Sequence, residues 1–192
     1  MRFICLLVLF VGLHFKADAA PPPLASLFGG GFSLVDQDNQ VRTDKDFRGQ
    51  YMLIYFGYTF CPDVCPTSLG ILADSYDALD KSVKDRIQPL FISLDPARDT
   101  PAVIKPYVKA FHPDFIGLTG TVAQLKEATK AYRVHWRKFV PEGSDPEKDY
   151  AVDHSSLTYL IGPDGNFLTL FPHGSRQEFM VSTINKYLSE NK

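Results

Sequence analysis

Cysteine is scarce in this chain: three in 192 residues, one of which, Cys5, lies in an apolar N-terminal run. That excludes a framework of several disulfides and a four-cysteine metal cage. Charge of one sign is also lacking. The net charge is −2, which removes the electrostatic footprint that nucleic acid or an anionic membrane surface would require. No period of roughly 20 to 50 residues recurs, so a repeat architecture is excluded. The apolar run at residues 3–15 falls short of the roughly 20 residues needed to span a bilayer. What remains is ordinary globular composition, with 45% hydrophobic residues and enough bulk in fifteen Phe and nine Tyr for a real core. The length suggests one domain.

The N-terminus is a separate object. Arg2, the run FICLLVLFVGLHF and the small residues Ala17 to Ala20 have the layout of a secretory signal peptide. Residues 1–19 are read as that signal, cut after Ala19, with an uncleaved anchor as the alternative. Residues 20–31, proline-rich and then glycine-rich, read as a linker, and 32–192 as the working domain. Export places it in an oxidising space, where a cysteine pair is a natural disulfide. The loop closed by Cys61 and Cys65 is too short to constrain the unfolded chain much. Redox or metal work is the better use of two such thiols.

The order of elements is legible. Phe32–Val35 and Gln40–Thr43 flank Asp36-Gln37-Asp38-Asn39 as a hairpin. Met52–Tyr58 and Ile87–Leu94 are continuous apolar runs, as expected of strands buried on both faces. Thr67–Leu79 carries apolar residues at helical spacing. Thr100 and Pro101 mark the start of a helix running to Phe111. Thr121 caps another, to about Tyr132. Phe115–Leu118 and Val134–Val140 are short strand candidates, and residues 141–150 form a polar loop. Gly162-Pro163-Asp164-Gly165 joins strands Ser156–Ile161 and Asn166–Phe171, and Ser175–Ser189 is a closing helix. Alternation of strand and helix predicts an α/β protein with a parallel pair. The order resembles a thioredoxin-like fold with an N-terminal β-hairpin and an inserted helix.

The chemistry gathers at Cys61-Pro62-Asp63-Val64-Cys65-Pro66, between a buried strand and a helix. A helix N-terminus lowers the pKa of a nearby thiol and favours the reactive, metal-binding thiolate. The spacing is one residue longer than the C-x-x-C of thiol-disulfide oxidoreductases, and by itself leaves metal and redox chemistry equally open. A two-thiolate metal site wants a third ligand. Of the histidines at 14, 112, 135, 154 and 173, topology favours His154. It precedes a strand antiparallel to the cysteine-bearing one, so it lies beside the cysteine turn. His173 is the runner-up. Two thiolates and one imidazole select Cu(I) and can also hold Cu(II). Asp153 is a candidate to orient His154.

Three ordered stretches, Phe56–Pro66, Ser93–Pro101 and Val152–Ser155, together resemble the Sco/SenC family of copper-binding assembly factors. The resemblance covers residues 30–190. It implies a thioredoxin-like domain facing the bacterial periplasm, in some cases tethered to the inner membrane, or facing the mitochondrial intermembrane space. It implies copper held by Cys61, Cys65 and His154. It implies help in maturing the dinuclear copper centre of cytochrome c oxidase, by delivering copper to the copper-accepting subunit, by reducing that subunit's cysteines, or both. Other copper chaperones or thiol reductants would then be partners. Such a protein is a binding and transfer protein rather than an enzyme. The competing readings are a thiol-disulfide oxidoreductase using the Cys61–Cys65 pair as a redox disulfide and, behind it, a thiol peroxidase. Asp95, Arg98 and Asp99 leave the second strand at the cysteine end and are read as a partner-docking surface.

Overall fold

Seven consecutive buried residues, Tyr51–Gly57, make β3 the axis of the molecule. No charged side chain interrupts them, the strand is buried on both faces, and each large apolar side chain contributes about 1.5–3 kcal/mol. The computed structural model describes residues 28–190. The expected signal segment 1–19, residues 20–27 of the expected linker, Cys5 and His14 lie outside the described residues.

The chain begins with a hairpin, β1 (Ser33–Asp36) and β2 (Val41–Thr43), and a short 3-10 turn at Asp44–Phe47. After β3 come α1 (Val64–Asp77), the short α2 (Lys81–Lys84), β4 (Ile87–Ser93), α3 (Pro101–Phe111), β5 (Ile116–Thr119) and α4 (Val122–Ala131). Then follow β6 (Trp136–Phe139), β7 (Ala151–His154), β8 (Leu157–Ile161), β9 (Phe167–Pro172) and α5 (Gln177–Glu190). The main sheet has the order β2-β1-β5-β4-β3-β8-β9. β3 and β4 run parallel from Tyr51↔Ile87 to Gly57↔Ser93, and β5 extends the parallel set. β8 is antiparallel to β3, with Tyr55 opposite Thr158. The thioredoxin-like architecture expected from the sequence is the one observed.

Alternation along β3 sends neighbouring side chains to opposite faces. Phe56 meets Tyr132, at the end of α4, with ring centroids 5.5 Å apart. Tyr55 instead faces the cysteine side, near His154. On that side α3 lies so close over β5 that a Cβ on Gly117 would collide with Ile104. The closing helix α5 packs on α1, where Gln177 Nε2 donates to the Asp74 carbonyl at 3.0 Å.

Three differences from the sequence reading have physical causes. First, α1 starts at Val64 rather than Thr67, which puts Cys65 and Pro66 inside its first turn; proline is tolerated there because first-turn N–H groups lack intrahelical partners. Second, β6 and β7 form a separate two-stranded arm outside the main sheet, so His154 sits on a strand of its own. Third, the end of the expected linker is docked: the Phe28 ring stacks on Phe167 at 4.8 Å. No helix among the described residues is long and apolar enough to cross a membrane.

Candidate metal centre

β3 delivers the chain to Gly57, beyond which it must turn. The Cys61 N–H donates to the Tyr58 carbonyl at 3.3 Å and closes that turn. Gly57 leaves no free room for a side chain here, because a Cβ would lie 2.9 Å from both Cys65 Sγ and Tyr55 Cε1. The sulfur of Cys65 therefore rests against the strand's own backbone, fully buried. Asp63 occupies the N-cap position of α1 but its side chain makes no capping bond. Cys61 Sγ does that work instead, accepting the Cys65 N–H at 3.4 Å. Both cysteines are free thiols in this structure.

The two sulfurs are electrostatically unlike. The Cys65 thiol donates to Cys61 and stabilises its thiolate. His154 and the backbone N–H groups of Asp63 and Cys65 add to that, against the opposing effect of burial, and the Cys61 pKa falls to about 3. Cys65 is driven the other way, first by the Cys61 contact and then by burial. The pair thus holds one thiolate and one thiol, and a soft metal ion would displace the proton of Cys65.

His154 arrives from the arm. β7 pairs antiparallel with β6, Trp136 opposite His154. Val152 and His154 point toward the body of the protein, Val152 buried and His154 partly so. His154 Nε2 lies 3.4 Å from Cys65 Sγ. Its Nδ1 is 3.2 Å from the Ser155 carbonyl, an acceptor that orients the ring and turns Nε2 toward the sulfurs. The rings of Tyr58 and Tyr55 meet the imidazole edge-on, at 6.0 and 6.3 Å. The ligand atoms of Cys61, Cys65 and His154 all lie within 4.8 Å of one another. An open groove of about 420 Å³, lined by His135, Arg137 and Asp153 among others, reaches His154 from the solvent side. Two sulfurs and one nitrogen suit a soft metal ion.

The remaining candidates fall elsewhere. His173 Nδ1 is 2.9 Å from Ser68 Oγ, along α1. His112 lies near Asp77, with Nε2 3.2 Å from Oδ1. Asp153 does not orient His154. Strand alternation turns it outward, where it is exposed and pairs with Arg137 at 3.0 Å. The alternation of Val152, Asp153 and His154 was the available signal for this.

The docking surface expected at Asp95, Arg98 and Asp99 is an internal brace. Asp95 and Asp99 are buried, at 4% and 0% exposure. Asp99 accepts from the Thr59 N–H at 3.0 Å, the Thr59 hydroxyl and the Ser93 hydroxyl, tying the cysteine turn to the end of β4. Burial raises its pKa despite those bonds. Asp95 pairs with Arg98 and accepts the Tyr150 hydroxyl at 2.7 Å. Charged residues are surface residues unless partnered; Asp95 and Arg98 are partnered with each other, and Asp99 with Thr59 and Ser93. No pattern along the chain signals these partners.

Comparison with known proteins decides the family: the SCO1/SenC family matches residues 20–189. The chain belongs to the SCO1/SenC family. Protein SCO1 homolog, mitochondrial, of Homo sapiens is 44% identical over 163 residues, which are 84% of this chain and 53% of that protein; the chain spans about half the length of that relative. Among solved SCO structures, yeast Sco1 with copper bound is 40% identical with a TM-score of 0.76, over 84% of this chain and 88% of that one. Bradyrhizobium japonicum ScoI with copper bound is 39% identical with a TM-score of 0.74, over 83% of this chain and 99% of that one.

Proposed function

We propose that this protein binds copper through Cys61, Cys65 and His154 and hands it to the copper-accepting subunit of cytochrome c oxidase as that subunit's dinuclear centre is assembled. The single observation that carries the reading is the convergence of three soft ligand atoms within 4.8 Å, two from one turn and one from a distant strand. Copper-bound yeast and Bradyrhizobium relatives support the choice of metal. Copper here is cargo. Three ligands hold Cu(I) well without closing the fourth side, and an incoming thiolate or thioether of the partner would displace them one at a time.

Residues 1–19 act in this reading as an export signal. The domain then works in the periplasm or the intermembrane space, near the membrane that carries the oxidase. Reduction of the partner's cysteines by the Cys61–Cys65 pair is the competing role, with the pair passing to a disulfide. Copper stoichiometry and affinity of the purified protein test the proposal. One ion per chain is expected, with His154→Ala weakening binding about 10- to 100-fold or more while the thermal transition stays cooperative. Unchanged affinity in His154→Ala would remove the imidazole from the site and the proposal with it.

A further inference from the structure

Arg98 stands between the two halves of the metal centre. Only 15% of its side chain is exposed. Its Nε donates to Asp95. Its guanidinium carbon lies 3.6 Å from the ring centroid of Tyr150, 4.7 Å from that of Phe60 and 5.8 Å from that of Tyr58. Nη1 donates to the Tyr150 carbonyl at 3.1 Å and reaches the Lys148 carbonyl at 3.4 Å. The positions of these partners matter. Phe60 immediately precedes Cys61. Tyr150 immediately precedes β7, whose last residue is His154. One partly buried cation therefore touches the turn that carries the sulfurs and the strand that carries the imidazole.

The arm needs such a tie. A lone two-stranded ribbon is marginally stable, and among the described residues β6 and β7 pair only with each other. β6 is exposed beyond Trp136. Besides Arg98, the arm is held by the buried Val152 and Tyr150 and by Trp136 Nε1 donating to Thr129 Oγ1 at 3.2 Å. A planar guanidinium can stack on aromatic rings and donate in its plane to a carboxylate and a carbonyl at once, which an ammonium cannot.

We propose that Arg98 is a positioning residue, a latch that keeps the His154 strand closed on the cysteine turn, so that the third ligand is in place only while the latch is shut. The proposal takes copper as cargo from the reading above, but its geometry does not depend on the metal. Two measurements on the whole protein separate them. Trp136 is the one tryptophan of the chain and sits opposite His154 in the arm, so its fluorescence reports arm opening without metal. In metal-free protein, Arg98→Ala should raise acrylamide quenching of Trp136 about twofold or more, as expected when a local unit opens. Copper affinity should fall roughly 10- to 100-fold in Arg98→Ala, the usual cost of removing a residue that supports a ligand, and Arg98→Lys should recover part of it.

In a His154→Ala background, Arg98→Ala should leave copper affinity unchanged to within about twofold, because the two substitutions then remove the same thing. An equal loss in that background would make Arg98 a general stabiliser and overturn the latch. Unchanged Trp136 quenching in Arg98→Ala would also overturn it. A wild-type protein that binds no copper defeats the functional reading, and the quenching arm still decides the latch. Should Arg98→Ala fail to fold, Arg98→Lys keeps the charge but loses the planar fork that bonds Asp95 and the Tyr150 carbonyl while stacked on the Tyr150 ring; increased quenching relative to wild type supports the latch and unchanged quenching overturns it.

Discussion

The cysteine turn and the histidine arm are built to different standards. The turn follows a strand hydrogen-bonded on both sides, to β4 and to β8. It is fixed again by Asp99, which takes three hydrogen bonds from Thr59 and Ser93. The arm is four residues paired with four, joined by a polar loop and attached to the body at a few points. Local stability follows the density of such ties. The site thus has two ligands that are fixed by the fold and one that is carried to them. That division suits transfer: a fixed pair keeps the ion from being lost to solvent, and a carried third ligand gives the ion a way to change partners.

The largest test of this contrast is electrostatic and concerns the fixed half. Between pH 5 and 8 Cys61 should show one full thiolate by ultraviolet absorbance, taken as the difference between wild type and Cys61→Ser; an ordinary thiol would pass from well under 1% to roughly a quarter ionised in that window. The folded pKa is depressed, so in this window the unfolded chain carries a proton that the folded chain lacks. The stability Cys61 contributes is fully present above the ordinary thiol pKa and is lost as pH falls through about 3. An ordinary thiol titration curve would show that the turn does not hold a thiolate.

A smaller effect is expected from crowding the same half. Gly57→Ala places a methyl group against Cys65 Sγ and Tyr55 and should cost about 1–3 kcal/mol in denaturant unfolding, with copper affinity falling as the sulfurs are displaced. Loss of stability with unchanged affinity would show that the turn tolerates movement, and would blur the contrast drawn above. The smallest effect belongs to the outer face of the arm. Asp153→Ala removes an exposed pair with Arg137 and should change stability by no more than about 1 kcal/mol, with copper affinity unaltered. A marked fall in affinity would return Asp153 to the site.

Local pattern made much of the fold readable. The unbroken apolar run of β3, the Thr100-Pro101 start of α3 and the Gly-Pro-Asp-Gly turn before β9 each state their element within a few residues. The sulfur pair and His154 followed from spacing and from the direction of one strand. What stayed hidden depends on distant partners. Four residues, Ala151–His154, have too short a pattern to announce a strand whose mate lies across a polar loop. Asp95, Arg98 and Asp99 read as surface because the groups that satisfy them, Arg98 and Tyr150 for Asp95, Thr59 and Ser93 for Asp99 and the aromatic rings around Arg98, are brought together only by folding. Gly57 read as one more residue of the run Met52–Tyr58, and the positions of Cys65 and Tyr55 explain why it has no side chain.

Cys61 Sγ serves as the N-terminal cap of α1, in the place where an oxygen usually sits. Its lone pairs are therefore shared property. When an ion draws on them, the amide of Cys65 has a poorer acceptor, and the first turn of the helix feels the change before any residue has moved. Occupancy of the centre is written into a backbone hydrogen bond, and a protein docking beside that turn would meet a different helix end in the loaded and the empty state.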